Sequence, residues 1–168
     1  YDTDQEKKQL HETAGKAIEE LYKDNLSEHY EVLAEHYYLS EIYAKASEYS
    51  KLAGRKAEKS ASLNDAIAHT KKRISALECL PQTEDVQRKI IDSRTTLGLY
   101  GIQMNYHEDA QKAIDPIIEP AVKLDYRRRL CQIYTVLGAN YLFVENDCLK
   151  AFPVLEEAIK IAEEVKDA

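Results

Sequence analysis

The sequence predicts an all-α fold, an α–α superhelix (a solenoid) of about eight helices arranged in antiparallel hairpins. Apolar residues recur at helical spacing along most of the chain, and no run resembles a strand bounded by turn residues. One stretch also occurs twice: Thr96-Leu97-Gly98 precedes Ala110 much as Val136-Leu137-Gly138 precedes Ala151. Each copy is typical of two helices that bury their apolar faces only by stacking on a neighbour. Such an array indicates a binding scaffold rather than an enzyme.

Composition and charge limit the classes of partner that the chain is expected to bind. Apolar residues make up 44% of the 168 residues and charged residues 32%, as in ordinary soluble proteins with a core. The net charge of −7 argues against a nucleic-acid partner. The two basic clusters, Lys71-Lys72-Arg73 and Arg127-Arg128-Arg129, are short, and we expect them to be solvated helix faces.

The cysteines and the hydropathy of the chain predict the cellular environment in which it works. Cys79, Cys131 and Cys148 are odd in number and share no metal-binding spacing, which predicts a reducing, cytoplasmic environment. No apolar run reaches the roughly 20 residues that a bilayer span needs, so we expect no membrane insertion. The chain begins with Tyr1 rather than Met, and we expect it to be a piece of a longer protein.

The first half of the chain predicts a helix and two hairpins. Residues 5–22 form a helix that is an N-terminal cap or the remnant of a preceding repeat, with an apolar stripe of Leu10, Ala14, Ala17, Ile18 and Leu21. Hairpin 26–59 follows, with Ser40 as the N-cap of its second helix. Hairpin 41–80 shares that helix, and Pro81 ends it.

The second half predicts two more hairpins within the same single repeat domain, 1–168. In hairpin 83–119, Pro116 predicts a kink near Asp115, and a new helix is expected to start at Pro120. Hairpin 121–166 consists of helix 121–143 and helix 148–166, which Asp147 caps. The packing face of the last helix is predicted to be Leu155, Ala158, Ile159 and Ala162.

The hairpins resemble tetratricopeptide repeats, whose pattern is a large residue, Leu and a small residue, then Tyr, and then Ala on the second helix. Tyr30, Leu33, Ala34, Tyr37 and Ala46 match it, and so do Tyr134, Leu137, Gly138, Tyr141 and Ala151. The small residues allow two helix axes to approach to about 8–10 Å. The middle copy departs from the pattern at Arg94 and Gly101, and Ser50 stands where a large aromatic residue is expected.

A narrower resemblance lies in the N-terminal run Leu21-Tyr22-x-Asp24-Asn25-Leu26-x-Glu28-His29-Tyr30-x-x-Leu33-Ala34-x-His36-Tyr37, in Ala57, and in the ending Leu77-x2-Leu80-Pro81. It is similar to the C-terminal repeats of bacterial multidomain signalling proteins that join a class III adenylate/guanylate cyclase domain to an AAA-type ATPase. The resemblance implies an interaction or sensor module whose catalytic domains lie upstream. None of their motifs occurs in this chain.

The candidate partner site is the concave groove that first helices line in this family. The residues beside the matched motifs are Glu28, Glu31, Glu35 and Tyr38, then Asp92, Thr95, Leu99 and Ile102, then Gln132, Thr135, Ala139 and Leu142. The first set is acidic and the later sets are more apolar, so we expect a protein or peptide that is basic at one end and apolar at the other, or another domain of the same chain. Val32, Thr96 and Val136 stand where a chaperone-tail carboxylate clamp needs Asn, which disfavours that specialised function.

Other chemistry is not expected. His29 and His36 lie about 10 Å apart along one helix, too far to share a metal ion. Adjacent carboxylates such as Glu156 and Glu157 point apart on a helix, so we expect neither an acid–base pair nor a cofactor. Three alternatives stay open: an enzyme with an unrecognised polar pocket, a structural module that dimerises through an apolar patch on 5–22 or 148–166, and a helical ligand-binding regulator domain.

Overall fold

The computed structural model describes residues 3–166, and these residues form helices and connecting turns with no strand among them. The all-α prediction is therefore confirmed. In chain order the helices are α1 (Thr3–Leu21), a 3-10 turn (Leu26–His29), α2 (Tyr30–Leu39), α3 (Tyr43–Lys59), α4 (Leu63–Glu78), α5 (Glu84–Gln103), α6 (His107–Ile114), a 3-10 turn (Asp115–Ile117), α7 (Ile118–Lys123), α8 (Arg127–Phe143) and α9 (Cys148–Lys166). The chain divides between Gln82 and Thr83 into two compact units.

Unit 1, through Gln82, is built around α3. This helix packs against both α2 and α4, which confirms that one helix serves two hairpins. Leu33, Tyr37, Ala46 and Ala76 form the buried core. α1 contacts α2 through Gly15, where an added Cβ would lie 3.0 Å from the Tyr37 ring.

The predicted packing stripe of α1 is partly wrong. Leu10 and Leu21 are exposed, whereas Gly15 is buried and Ile18 packs against the core. The periodicity of apolar residues predicted that the more apolar side of α1 would pack against the core. The side that packs is set by Gly15, which allows the close approach of the bulky Tyr37 ring.

Unit 2, from Thr83, contains hairpins α5–α6 and α8–α9. Its core is formed mainly by aliphatic side chains, including Ile91, Ile114, Ile133 and Val136. The packing face of α9 differs from the prediction, because Ile159 is exposed while Ile161 is buried among these core residues.

One helix–helix contact recurs along the chain. A Cβ added to Gly98 would lie 2.8 Å from Ile114 on the next helix, and a Cβ added to Gly138 would lie 2.4 Å from Leu155. In each pair the facing residue comes four positions after the alanine of the second helix, Ala110 or Ala151. The small residues therefore do what the repeat pattern predicts: they let the second helix approach closely.

Four of the connecting turns share one hydrogen-bond pattern, which the sequence did not reveal. In the first, Glu41 N donates to Tyr38 O over 3.0 Å and Ile42 N donates to Tyr37 O over 2.9 Å. This is a Schellman cap, in which the residue after the helix adopts a left-handed conformation. The left-handed positions are Glu41, Ala61, Asn105 and Asp125, with φ of 61°, 58°, 60° and 46°. None of them is glycine.

Two of the predicted helix starts are confirmed and one is wrong. The Thr83 hydroxyl accepts a hydrogen bond from Val86 N at 3.3 Å, and Asp147 Oδ1 accepts one from Lys150 N at 3.0 Å. Ser40 is not the N-cap of α3. It belongs to the Schellman turn, and its hydroxyl donates back to Tyr37 O.

The segment 115–126 departs from the predicted boundaries. The break near Asp115 is present as a 3-10 turn, but the next helix begins at Ile118 rather than Pro120. Pro116 has no N–H to donate, and the helical ladder is interrupted there. The predicted helix 121–143 is divided by the turn at Asp125, so the hairpins run over 84–123 and 127–166 rather than 83–119 and 121–166.

Candidate functional site

The acidic residues of the predicted groove line a cleft in unit 1. Two adjoining cavities, of about 460 and 290 Å³, lie between α2 and the helices α3 and α4. Glu31 and His69 belong to both cavities. We name this feature the α2–α4 cleft, and its walls include Glu28, Glu31, Val32, Glu35, Lys56, Ala68, His69 and Lys72.

The acidic wall of the cleft faces basic side chains that the sequence had not assigned. Glu28 Oε1 lies 2.9 Å from Lys56 Nζ, and Glu35 pairs with Lys72 across the other cavity. Lys72 was expected to be part of a solvated basic face, but its side chain is half-buried and ion-paired. The helical spacing of Ala68, His69 and Lys72 along α4 is the sequence signal that could have found this wall.

Ion pairing and burial shift the pKa values of two side chains in the cleft, Glu28 and Lys72. The hydrogen bond and charge of Lys56 lower the pKa of Glu28, so this carboxylate is ionised over the neutral range. Burial lowers the pKa of Lys72, and the nearby charge of Glu31 partly offsets that effect. The cleft thus carries both signs of charge around an apolar strip formed by the exposed Val32 and by Ala68.

Tyr38 lies outside this cleft. Its ring packs edge-on against Tyr43, with centroids 5.5 Å apart, and contacts the unit 1 core. Of the four predicted residues in unit 1, the structure therefore brings together Glu28, Glu31 and Glu35.

In unit 2, the predicted groove residues Asp92 and Gln132 take part in a polar network between α5 and α8. Asp92 Oδ1 accepts hydrogen bonds from Tyr126 Oη at 2.7 Å and from Arg129 Nε at 2.6 Å. Arg129 Nη1 also donates to Gln132 Oε1 at 2.9 Å. Burial, together with the hydrogen bond to Asp92, raises the pKa of Tyr126. These side chains hold two helices together.

The remaining candidates in unit 2 differ in accessibility. Thr95 is fully buried and donates to Ile91 O, so its assignment to a partner groove was wrong. Leu99 and Ile102 pack against the core cluster. Thr135 is exposed, while Ala139 and Leu142 are half-buried. Helical spacing placed these residues on α5 and α8 but did not show which side of each helix is covered.

The two histidines of the N-terminal repeat, His29 and His36, each contact another ring. His36 Nδ1 lies 3.0 Å from His11 Nδ1 of α1, and the His29 ring stacks on Tyr22 with centroids 3.9 Å apart. Within residues 3–166, no group of three or more His, Cys, Asp or Glu side chains could hold a metal ion. Cys79 and Cys148 are exposed and Cys131 is half-buried, and all three are free thiols.

Comparisons with protein-family models, with curated proteins and with solved structures find no match to this chain. None of the helices in the described part of the chain is long and apolar enough to span a bilayer.

Proposed function

We propose that this chain is a non-catalytic protein-interaction module of the tetratricopeptide kind, and that it binds an extended peptide segment in the α2–α4 cleft. The observation that carries the proposal is the cleft itself, in which three residues predicted from the repeat pattern share continuous walls with Lys56, His69 and Lys72. The recurring contact of a small residue with the following helix supports the repeat assignment.

The cleft favours a peptide that has apolar and basic side chains. Val32 and Ala68 offer an apolar strip, and Glu31 adds a carboxylate to both cavities. A lysine or arginine of the ligand would gain a charge-assisted hydrogen bond from Glu31. The cross-cleft pairs of Glu28 with Lys56 and Glu35 with Lys72 hold the walls at a defined separation.

The wider context is part of the same proposal. The run from Leu21 to Tyr37 resembles modules of bacterial signalling proteins that contain a nucleotide cyclase domain, so we propose a cytoplasmic role as the interaction or sensor segment of such a protein.

Selection from a library of random linear peptides, followed by calorimetry on the selected peptides, tests the proposal. We expect enrichment of sequences that combine basic and apolar residues. The Glu31→Lys variant should weaken their binding at least tenfold, equivalent to about 1.4 kcal/mol. The control Glu20→Lys makes the same charge change at an exposed position of α1 outside the cleft, and it should bind as the unmodified chain does. Equal affinities of the unmodified chain and the Glu31→Lys variant would refute binding in this cleft.

A further inference from the structure

Two helices expose apolar stripes that no described part of the chain covers. On α9, Leu149, Phe152 and Ile159 are 87%, 57% and 60% exposed. On α1, Leu10 and Leu21 are 68% and 75% exposed, with Ala14 and Ala17 between them. We name these sets the α9 stripe and the α1 stripe. Exposed apolar sets of this kind mark surfaces that associate.

The two stripes have the same spacing. Positions 149, 152, 156, 159 and 163 of α9 alternate steps of three and four residues, and so do positions 7, 10, 14, 17 and 21 of α1. This is the spacing of a coiled-coil seam, in which two helices pack along their full contact. By helical rise, the α9 stripe is about 15 Å long from Leu149 to Ile159, and the α1 stripe is about 17 Å long from Leu10 to Leu21.

We propose that the α9 stripe of one chain packs against the α1 stripe of a second copy of the same chain. The two surfaces complement each other in size at one position, where the bulky Phe152 meets the small Ala17. The same arrangement builds the hairpins within the chain, where Leu155 covers Gly138.

Charge determines the relative orientation of the two helices. In an antiparallel pair, Glu163 of one copy lies beside Lys7 of the other, and Leu149 lies beside Leu21. A parallel pair would place Leu149 on Lys7 and Glu163 on Leu21, which desolvates charges against apolar groups. Pairing of two α9 stripes would bring Glu156 against its own copy. The antiparallel contact between unlike stripes is therefore the favoured one.

Such a contact is heterologous, since different surfaces of the two copies meet. A dimer joined by one such contact still has one uncovered α1 stripe and one uncovered α9 stripe, so assembly continues beyond it or closes into a ring of two or more copies. A single helix pair falls below the standard interface of about 1,600 Å². We therefore expect association at high micromolar to millimolar concentration.

Complementation of two variants tests the contact in analytical ultracentrifugation. Leu10→Glu/Ala17→Glu disables the α1 stripe, and Phe152→Glu/Ile159→Glu disables the α9 stripe. All four positions are exposed, so both variants should keep the fold, which circular dichroism checks. The control Gln9→Glu/Thr13→Glu adds the same charges at exposed positions of α1 outside the stripe.

The unmodified chain and the control should show a mass that rises with concentration, and each stripe variant alone should stay at the monomer mass of 19.2 kDa. An equimolar mixture of the two stripe variants should form a species of twice that mass and nothing larger, because one intact α1 stripe meets one intact α9 stripe. A monomeric unmodified chain would overturn the proposal, and the stripes would then face other segments or proteins. Self-association of the α9 variant alone would also overturn it, in favour of pairing between two α1 stripes.

Discussion

At the scale of single residues, Ser50 of α3 is a buried polar group without compensation. It is fully buried, and its Oγ finds no hydrogen-bond partner among the residues that the structure describes. Tyr49 beside it stacks on Tyr37, with ring centroids 5.8 Å apart, and supplies the aromatic bulk that the repeat pattern expects at position 50. Burying the Ser50 hydroxyl therefore costs desolvation free energy that no hydrogen bond offsets.

Replacing Ser50 with alanine should therefore stabilise the protein. We expect Ser50→Ala to raise the free energy of unfolding by about 1 kcal/mol, because it removes an unsatisfied buried hydroxyl. The control is Ser47→Ala on the same helix. Ser47 is also buried, but its Oγ donates to Ala44 O at 2.8 Å, so its loss should be neutral or slightly destabilising. Urea denaturation measures both variants, and a less stable Ser50→Ala protein would contradict the argument.

The pair of His11 and His36 makes stability depend on pH. Burial and then the charge of His11 lower the pKa of His36 below its ordinary value of 6.5. The unfolded chain binds this proton more readily, so the contribution of His36 to stability is complete above about pH 6.5 and is lost as the pH falls below it. We expect the unfolding free energy of the unmodified chain to fall more between pH 7.5 and 5.5 than that of His36→Gln. Parallel pH profiles for the two proteins in urea denaturation would refute this.

At the scale of helices, the glycines separate into two kinds that sequence alone does not distinguish. A Cβ at Gly101 would lie 2.8 Å from Ala110 Cβ and 3.1 Å from Ala110 Cα, whereas a Cβ at Gly54 would meet its nearest atom at 3.6 Å. The helices α5 and α6 are in backbone contact at Gly101. The neighbourhood of Gly54 has room for a methyl group.

The two alanine substitutions should consequently have opposite signs. Gly101→Ala should destabilise the protein by about 1–3 kcal/mol, because α6 must move away from α5. Gly54→Ala should stabilise it by up to about 1 kcal/mol, the difference in helix propensity between the two residues. Thermal denaturation of both variants under identical conditions measures the shifts. If Gly101→Ala were as stable as Gly54→Ala, the close contact with Ala110 would not exist in solution.

Helical spacing and cap residues explain which elements the sequence could predict. The periodic apolar residues identified the helices, Pro81 and Thr83 located the boundary between α4 and α5, and Asp147 located the start of α9. The turn at Asp125 was missed because its left-handed residue is not glycine. A residue with a Cβ is destabilised in the left-handed conformation, and the hydrogen bonds of the turn offset that free energy.

The candidate site was predictable in part for a similar reason. The repeat pattern placed Glu28, Glu31 and Glu35 beside its matched positions, and these three carboxylates line the cleft. The opposite wall depends on how three helices pack: the spacing of Ala68, His69 and Lys72 shows that they share a face of α4, but not that this face lies opposite α2. The assignment of Thr95 failed because α5 is covered on a side where the pattern expects solvent.

At the scale of the whole molecule, the two units have cores of different composition. The buried cluster of unit 2 contains Ile91, Ile114, Ile133 and Val136, all branched aliphatic residues. That of unit 1 has two large residues, Leu33 and Tyr37, beside Ala46 and Ala76. The cluster of unit 2 also contains two alanines, but it has seven larger aliphatic residues. Because hydrophobic stabilisation grows with the apolar area buried, unit 2 should be the more stable of the two.

Fragments 1–82 and 83–168 should therefore behave differently when they are produced separately. Each has its own core, which is the requirement for folding alone, although chains of about 80 residues have little surplus stability. We expect fragment 83–168 to be helical and to unfold cooperatively, with a higher melting temperature than fragment 1–82 in circular dichroism. Within fragment 83–168, Ile133→Ala should cost about 2–5 kcal/mol, because Ile133 is fully buried. If fragment 1–82 melted at the higher temperature, the ion pairs and aromatic contacts around Tyr37 would outweigh the aliphatic core of unit 2.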